Sequence, residues 1–136
     1  MTVIGFNFEK ITAEKKTPVK GKISINNNVN ITKVEDTKVV VTKDKQTALT
    51  FKFKYTTSYE PAIGSIELEG DVLWIDTAAK NKEIMANWKK DKTLPKDINL
   101  FILNQILTKG AIEALVLSQT INLPPPVQLP RAKEKV

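Results

Sequence analysis

The chain contains no cysteine and no histidine. Lack of cysteine excludes a disulfide framework, a thiol nucleophile and a thiolate metal site. Lack of histidine removes the commonest general base and the commonest metal ligand, so a triad built on either residue is impossible and zinc catalysis is disfavoured. Arginine is nearly missing as well: among 21 Lys and Arg residues only Arg131 is not lysine. Readers of nucleic acid rely on the bidentate guanidinium, which makes specific nucleic-acid recognition a poor expectation. The five glycines are scattered and form no phosphate-cradling loop. What remains is 136 residues with a net charge of +6, long enough for one domain that buries about two thirds of its unfolded surface. Binding without catalysis or cofactor is the starting expectation.

Membrane and export signals are also scarce. Met1 to Lys10 lacks a basic run followed by an apolar stretch, unlike a secretory leader. The apolar segment from Ile98 to Leu117 has the length of a bilayer span, but Asn99, Asn104, Gln105, Lys109 and Glu113 interrupt it. A soluble cytoplasmic protein with no membrane insertion is expected.

The first half has the period of strands. Ile4, Phe6 and Phe8 alternate with Gly5, Asn7 and Glu9. Ile23 and Ile25 precede Asn26-Asn27-Asn28, which reads as a bulge or turn, and Val29 and Ile31 come after it. Val39 to Val41 is a short run closed by the turn-like Lys43-Asp44-Lys45. Leu49, Phe51, Phe53 and Tyr55 share one face opposite Lys52 and Lys54. Beyond Pro61, a strand from Ile63 to Ile75 alternates Ile66, Leu68, Val72 and Trp74 with Ser65, Glu67, Glu69 and Asp71. Short links between such runs predict an antiparallel meander or Greek key.

The second half reads as helix. Asp76 or Thr77 caps a segment over Ala78 to Asp91 with Ile84, Met85 and Trp88 on its apolar edge, and Thr93-Leu94-Pro95 ends it. Asp97 is the expected cap of a second helix reaching about Leu117, apolar on more than one face. One sheet covers one stripe, so the surplus calls for a second layer, most economically another subunit. Three consecutive prolines then forbid helix in Ile121 to Pro130, yet Ile121, Leu123, Val127 and Leu129 are apolar. An extended strip lying on the body is predicted. Residues 1–130 form the expected domain, and 131–136 a charged, frayed end.

Strands first, then a long apolar helix after a proline, then an Asn-Leu-Pro-Pro segment, resembles the SecB export chaperone family. Ile4-Gly5-Phe6-Asn7-Phe8-Glu9-Lys10-Ile11 is similar to its opening strand, and Phe51 to Leu68, through Tyr59-Glu60-Pro61-Ala62-Ile63-Gly64, to its middle strands. Leu94-Pro95, Ile98, Phe101 and Ile102, Gly110, and Ile121-Asn122-Leu123-Pro124-Pro125 resemble its long helix and post-helix segment. The resemblance implies an α+β fold: a four-stranded antiparallel, Greek-key-like sheet, two helices and a proline-rich extended tail. It further implies a dimer of dimers with the long helices between the dimers, and ATP-independent holding of unfolded polypeptide clients in apolar grooves. Ile98, Phe101, Ile102, Ile106 and Leu107 are then interface candidates. Phe51, Phe53, Tyr55, Trp74, Trp88, Ile121, Leu123 and Val127 are groove candidates, the alternative being ordinary core.

Charge departs from that family, whose export members are acidic and dock the SecA motor. Residues 1–76 carry 11 basic and 10 acidic groups, net +1, and residues 77–136 carry 10 and 5, net +5. This counts against motor docking, although Glu67, Glu69 and Asp71 form an acidic row. Those three carboxylates read as a solvated strand face rather than a metal or catalytic site. Lys80, Lys82, Lys89, Lys90, Lys92 and Lys96 read as a solvated helix face. Their alternative is a patch that attracts nucleic acid, an anionic membrane or acidic clients. The rival reading of the whole chain is a basic nucleic-acid-binding or scaffold protein that uses the same sheet and has no enzymatic activity.

Overall fold

A computed structural model describes residues 2–19, 21–37, 46–127 and 130. Val39–Val41, Lys43–Lys45, Leu129 and the 131–136 end lie outside the described residues. Four strands, β1 (Thr2–Lys15), β2 (Ser24–Thr37), β3 (Gln46–Glu60) and β4 (Gly64–Thr77), precede helices α1 (Ala78–Asp91) and α2 (Lys96–Thr120). The sheet order is β1-β4-β3-β2 with every pairing antiparallel. Three consecutive strands thus form a meander and the first returns beside the last, a Greek key. After β1 the chain turns across the β3–β4 connection, where the Lys16 and Thr17 amides donate to the Ile63 carbonyl.

Period-two alternation gives the sheet two chemically distinct faces. On the inner face Leu49, Phe51, Phe53, Tyr55 and Tyr59 of β3 and Ile66, Leu68, Val72 and Trp74 of β4 are buried. Phe6, Phe8 and Phe53 form an aromatic cluster with ring centroids 5.1 to 6.2 Å apart. Gly70 makes room for it: a Cβ there would collide with the Asn7 carbonyl and lie 3.0 Å from Phe53 Cζ. The outer face carries lysines and carboxylates.

Three sequence expectations change. The opening strand does not keep strict phase, because register shifts fall between Val3 and Gly5 and between Phe8 and Lys10. Such bulges leave Ile4 out of register and 46% exposed, and put Val3 with Phe6 and Phe8 against the core. The asparagine triplet is neither bulge nor turn; Asn26, Asn27 and Asn28 pair continuously with Ser58, Thr57 and Thr56, and the β2 irregularity lies at Thr32. Asp97 does not cap α2. Helix α2 begins at Lys96 behind Pro95, with Asp97 inside its first turn, where a carboxylate still faces the positive helix end.

Helix α1 matches its expected span. The Thr77 hydroxyl accepts from the Lys80 amide, and Lys92 ends the helix in the left-handed region with its amide bonded to the Trp88 carbonyl. Among the described residues α2 is the one helix long and apolar enough to cross a membrane by length and composition. Here it seats on the sheet through a row at every fourth residue: Ile98, Ile102, Ile106, Gly110, Ala114 and Ser118. Side chains shrink along that row, so the helix backbone descends where the sheet presents tyrosines. At Gly110 it meets the Tyr55 ring, and an added Cβ would lie 2.8 Å from Tyr55 Cδ2.

Candidate functional site: an edge groove and a seated tail

Helix α2 crosses the sheet but leaves the β1 edge partly uncovered. Its flank of Phe101, Gln105 and Lys109 faces Val3, Ile4, Gly5 and Phe6 across an open groove of ≈ 370 Å³. The Lys109 ammonium lies 5.4 Å from the Phe6 ring centre, so the groove combines apolar side chains with a cation and the Gln105 amide. Phe101 packs edge-on to Trp74 with ring centroids 5.8 Å apart, linking the groove to the core. Ile4 and Ile11, both 46% exposed, continue the apolar character along the strand. β1 is a terminal strand of the sheet, so this surface combines an edge ladder with apolar side chains.

A second apolar surface lies on the far side of α2. Leu100 and Ile112 are 61% exposed, with Val116 and Leu107 less so. These positions lie on turns opposite to or flanking the buried row.

The third feature is the tail at the opposite end of the inner face. After α2 the Leu123 amide donates to the Ser118 carbonyl and the Leu123 side chain is buried. Tyr59 then donates its hydroxyl to the Pro124 carbonyl at 2.7 Å, and the Asn27 amide nitrogen donates to the Pro126 carbonyl at 2.9 Å. Asn27 Oδ1 accepts from the Thr57 hydroxyl at 2.6 Å and from Tyr55 at 3.2 Å. As far as Val127, the expected strip therefore lies on the body. Burial, and then the neighbouring Tyr55, push the Tyr59 phenol up to about 12, which keeps it a donor at neutral pH.

The predicted groove residues fall into two groups. Phe51, Phe53, Tyr55 and Trp74 are buried beneath the helices, so within one chain they are core and not groove surface. Leu123 is also buried, as the anchor of the tail. Trp88 and Ile121 are half-buried against the core, and Val127 is half-buried at the end of the tail. Of the predicted interface residues, Ile98, Ile102 and Ile106 are fully buried on the sheet. Phe101 and Leu107, at 37% and 38% exposure, are available to a partner. The reason lies in the helix itself: apolar on all sides, it does not declare from sequence which stripe meets the sheet.

The charged candidates take plainer places. Glu67, Glu69 and Asp71 lie on the outer face, where Lys54 approaches Glu67 at 3.9 Å. Burial and then the Glu9 carboxyl hold Asp71 above the usual carboxylate range, while Lys52 opposes them. Among the described residues no group of three acidic side chains is placed to hold a metal ion. Lys89 and Lys90 occupy the last turn of α1, where their charge meets the negative helix end.

Sequence reasoning does not single out Leu100, Gln105, Lys109, Asn27 or Tyr59 as site residues. Asn27 does carry a signal: it falls in phase with Ile23, Ile25, Val29 and Ile31, a polar group on an apolar face.

No family model matches the chain, and no curated protein matches it in sequence. Among solved structures it is similar to the Mycobacterium tuberculosis Rv1957 SecB-like chaperone in complex with a ChAD peptide from the Rv1956 HigA1 antitoxin. The match has a TM-score of 0.56 at 10% identity and covers 99% of this chain and 92% of that one. At that identity the likeness is one of fold.

Proposed function

We propose that the protein is an ATP-independent holdase that keeps non-native polypeptide from aggregating, with no catalytic step and no cofactor. The observation that carries this reading is the β1–α2 groove, a trough beside an edge strand in which Ile4, Phe6 and Phe101 stand with Gln105 and Lys109. An extended client gains backbone pairing from such an edge and buries its apolar side chains against Ile4, Phe6 and Phe101. Burial contributes about 25 cal/mol per Å² regardless of sequence, which suits a binder of varied clients. A structure of similar fold holds a peptide, which supports polypeptide as the ligand class.

The exposed row on α2 supports self-association, with a dimer of dimers as the proposed assembly and the cytoplasm as its place of action. Service in protein export stays within the proposal, but motor docking does not, because the net charge of +6 disfavours it.

The groove is tested by titrating a fluorescent unfolded client against the wild-type chain and Phe101→Ser. Removing a partly exposed aromatic from a trough is expected to weaken binding about tenfold, the equivalent of about 1.4 kcal/mol, with little dependence on salt. Unchanged affinity in the variant contradicts the groove. Tight retention on a polyanion that falls steeply with salt instead favours the rival reading, a basic nucleic-acid-binding or scaffold protein.

A further inference from the structure

The tail is held by an unusual kind of contact. Among the described residues beyond Leu123, the hydrogen bonds that fix it run from side chains of the sheet to backbone carbonyls of prolines: Tyr59 to Pro124 and Asn27 to Pro126. Prolines 124 to 126 have no N–H and cannot join the β2 ladder, so they offer only acceptors. The sheet answers with donors only. Asn27 is set in that role by its neighbours, since Thr57 and Tyr55 both donate to its oxygen. The Pro126 carbonyl accepts and never donates, which fixes the amide with its nitrogen toward the tail. None of these bonds reads a tail side chain. Leu123 supplies the apolar anchor, and Asn27 itself stays solvent-exposed at the sheet margin.

We propose that Asn27, Tyr55, Thr57 and Tyr59 form a receptor slot for the backbone of an extended, proline-bearing polypeptide, with the chain's own residues 123–126 as its resident occupant. An incoming segment of the same chemistry exchanges with the tail. The slot therefore adds a second, donor-lined contact for clients at the end of the molecule away from the β1 groove. The inference deepens the holdase reading and rests on it for the nature of the incoming chain, but its test needs no chaperone activity.

The chain has no cysteine, so Pro130→Cys accepts a single fluorophore that reports tail mobility by anisotropy. In this labelled chain of 136 residues, Leu123→Asp removes the anchor and leaves the slot intact. Pro126→Glu serves the same purpose should the first variant fail to fold. Either is expected to lower the anisotropy and to bind a synthetic peptide of residues 121–130. The parent chain is expected to bind that peptide at least about tenfold more weakly, because its own tail competes at an effective concentration on the order of millimolar. Adding Asn27→Asp, which keeps the acceptor for Thr57 and Tyr55 but loses the donor, is expected to abolish peptide binding. Replacing the three prolines of the peptide by alanine is expected to weaken it severalfold. A tail that stays seated in both release variants overturns the proposal. So does a released chain that takes up no peptide at millimolar concentration, or binding indifferent to Asn27→Asp. Each of these outcomes leaves the aggregation assay free to succeed or fail separately.

Discussion

At Gly110 the α2 backbone lies against the Tyr55 ring, whose hydroxyl is tied to Asn27. The ring therefore has little freedom to retreat. In an exposed helix Gly→Ala adds about 1 kcal/mol of stability, whereas overpacking a core site costs about 1–3 kcal/mol. With the new Cβ 2.8 Å from Tyr55 Cδ2, the steric term dominates. Gly110→Ala is expected to lose about 1–2 kcal/mol in urea denaturation; a gain in stability contradicts the close approach. Asn27 makes the complementary point about polar residues. In phase with Ile25 and Val29, it faces the inner side at the exposed margin of the sheet, where the tail, Tyr55 and Thr57 engage its amide. The sequence shows the phase but not the partners, which arrive from residues 28 to 99 positions away.

Among the elements, strands β3 and β4 were legible because strict alternation of large apolar residues admits one reading. β1 and β2 were less so. Bulges near Ile4 and Glu9, and at Thr32, shift the phase by one residue; Gly5 stands beside the first, while those at Glu9 and Thr32 fall among ordinary strand residues. α1 was legible through a cap at Asp76 or Thr77, and the structure assigns it to Thr77. α2 was legible as a helix but not in its facing, since its apolar side chains surround it. The structure divides them: Ile106 is fully buried on the sheet, and Ile112 is 61% exposed on the other side. The two positions therefore predict opposite results for one chemical change. Ile106→Asp buries a charge and is expected to unfold the domain, by about 3–5 kcal/mol. Ile112→Asp is expected to leave the circular dichroism and melting of the single chain unchanged and to lower the native mass in sedimentation. A wild-type chain that sediments as a monomer, or an Ile112→Asp chain of unaltered mass, contradicts self-association through α2.

For the whole molecule, composition and fold point the same way. A chain without histidine or cysteine is poorly supplied for catalysis, but a holdase requires neither. Its Greek-key sheet leaves β1 as an edge beside a trough of mixed polarity, and a long helix presents exposed apolar side chains. The fold was readable from sequence because it rests on element order. The trough was not, because it joins residues near position 5 to residues near position 105 and exists only once α2 has settled on the sheet. The most direct test of the holdase reading is light scattering from an unfolding model protein with increasing amounts of this chain, at low and high salt. The predicted result is suppression at substoichiometric ratios with little dependence on salt. Scattering that proceeds unchecked at several-fold molar excess contradicts it.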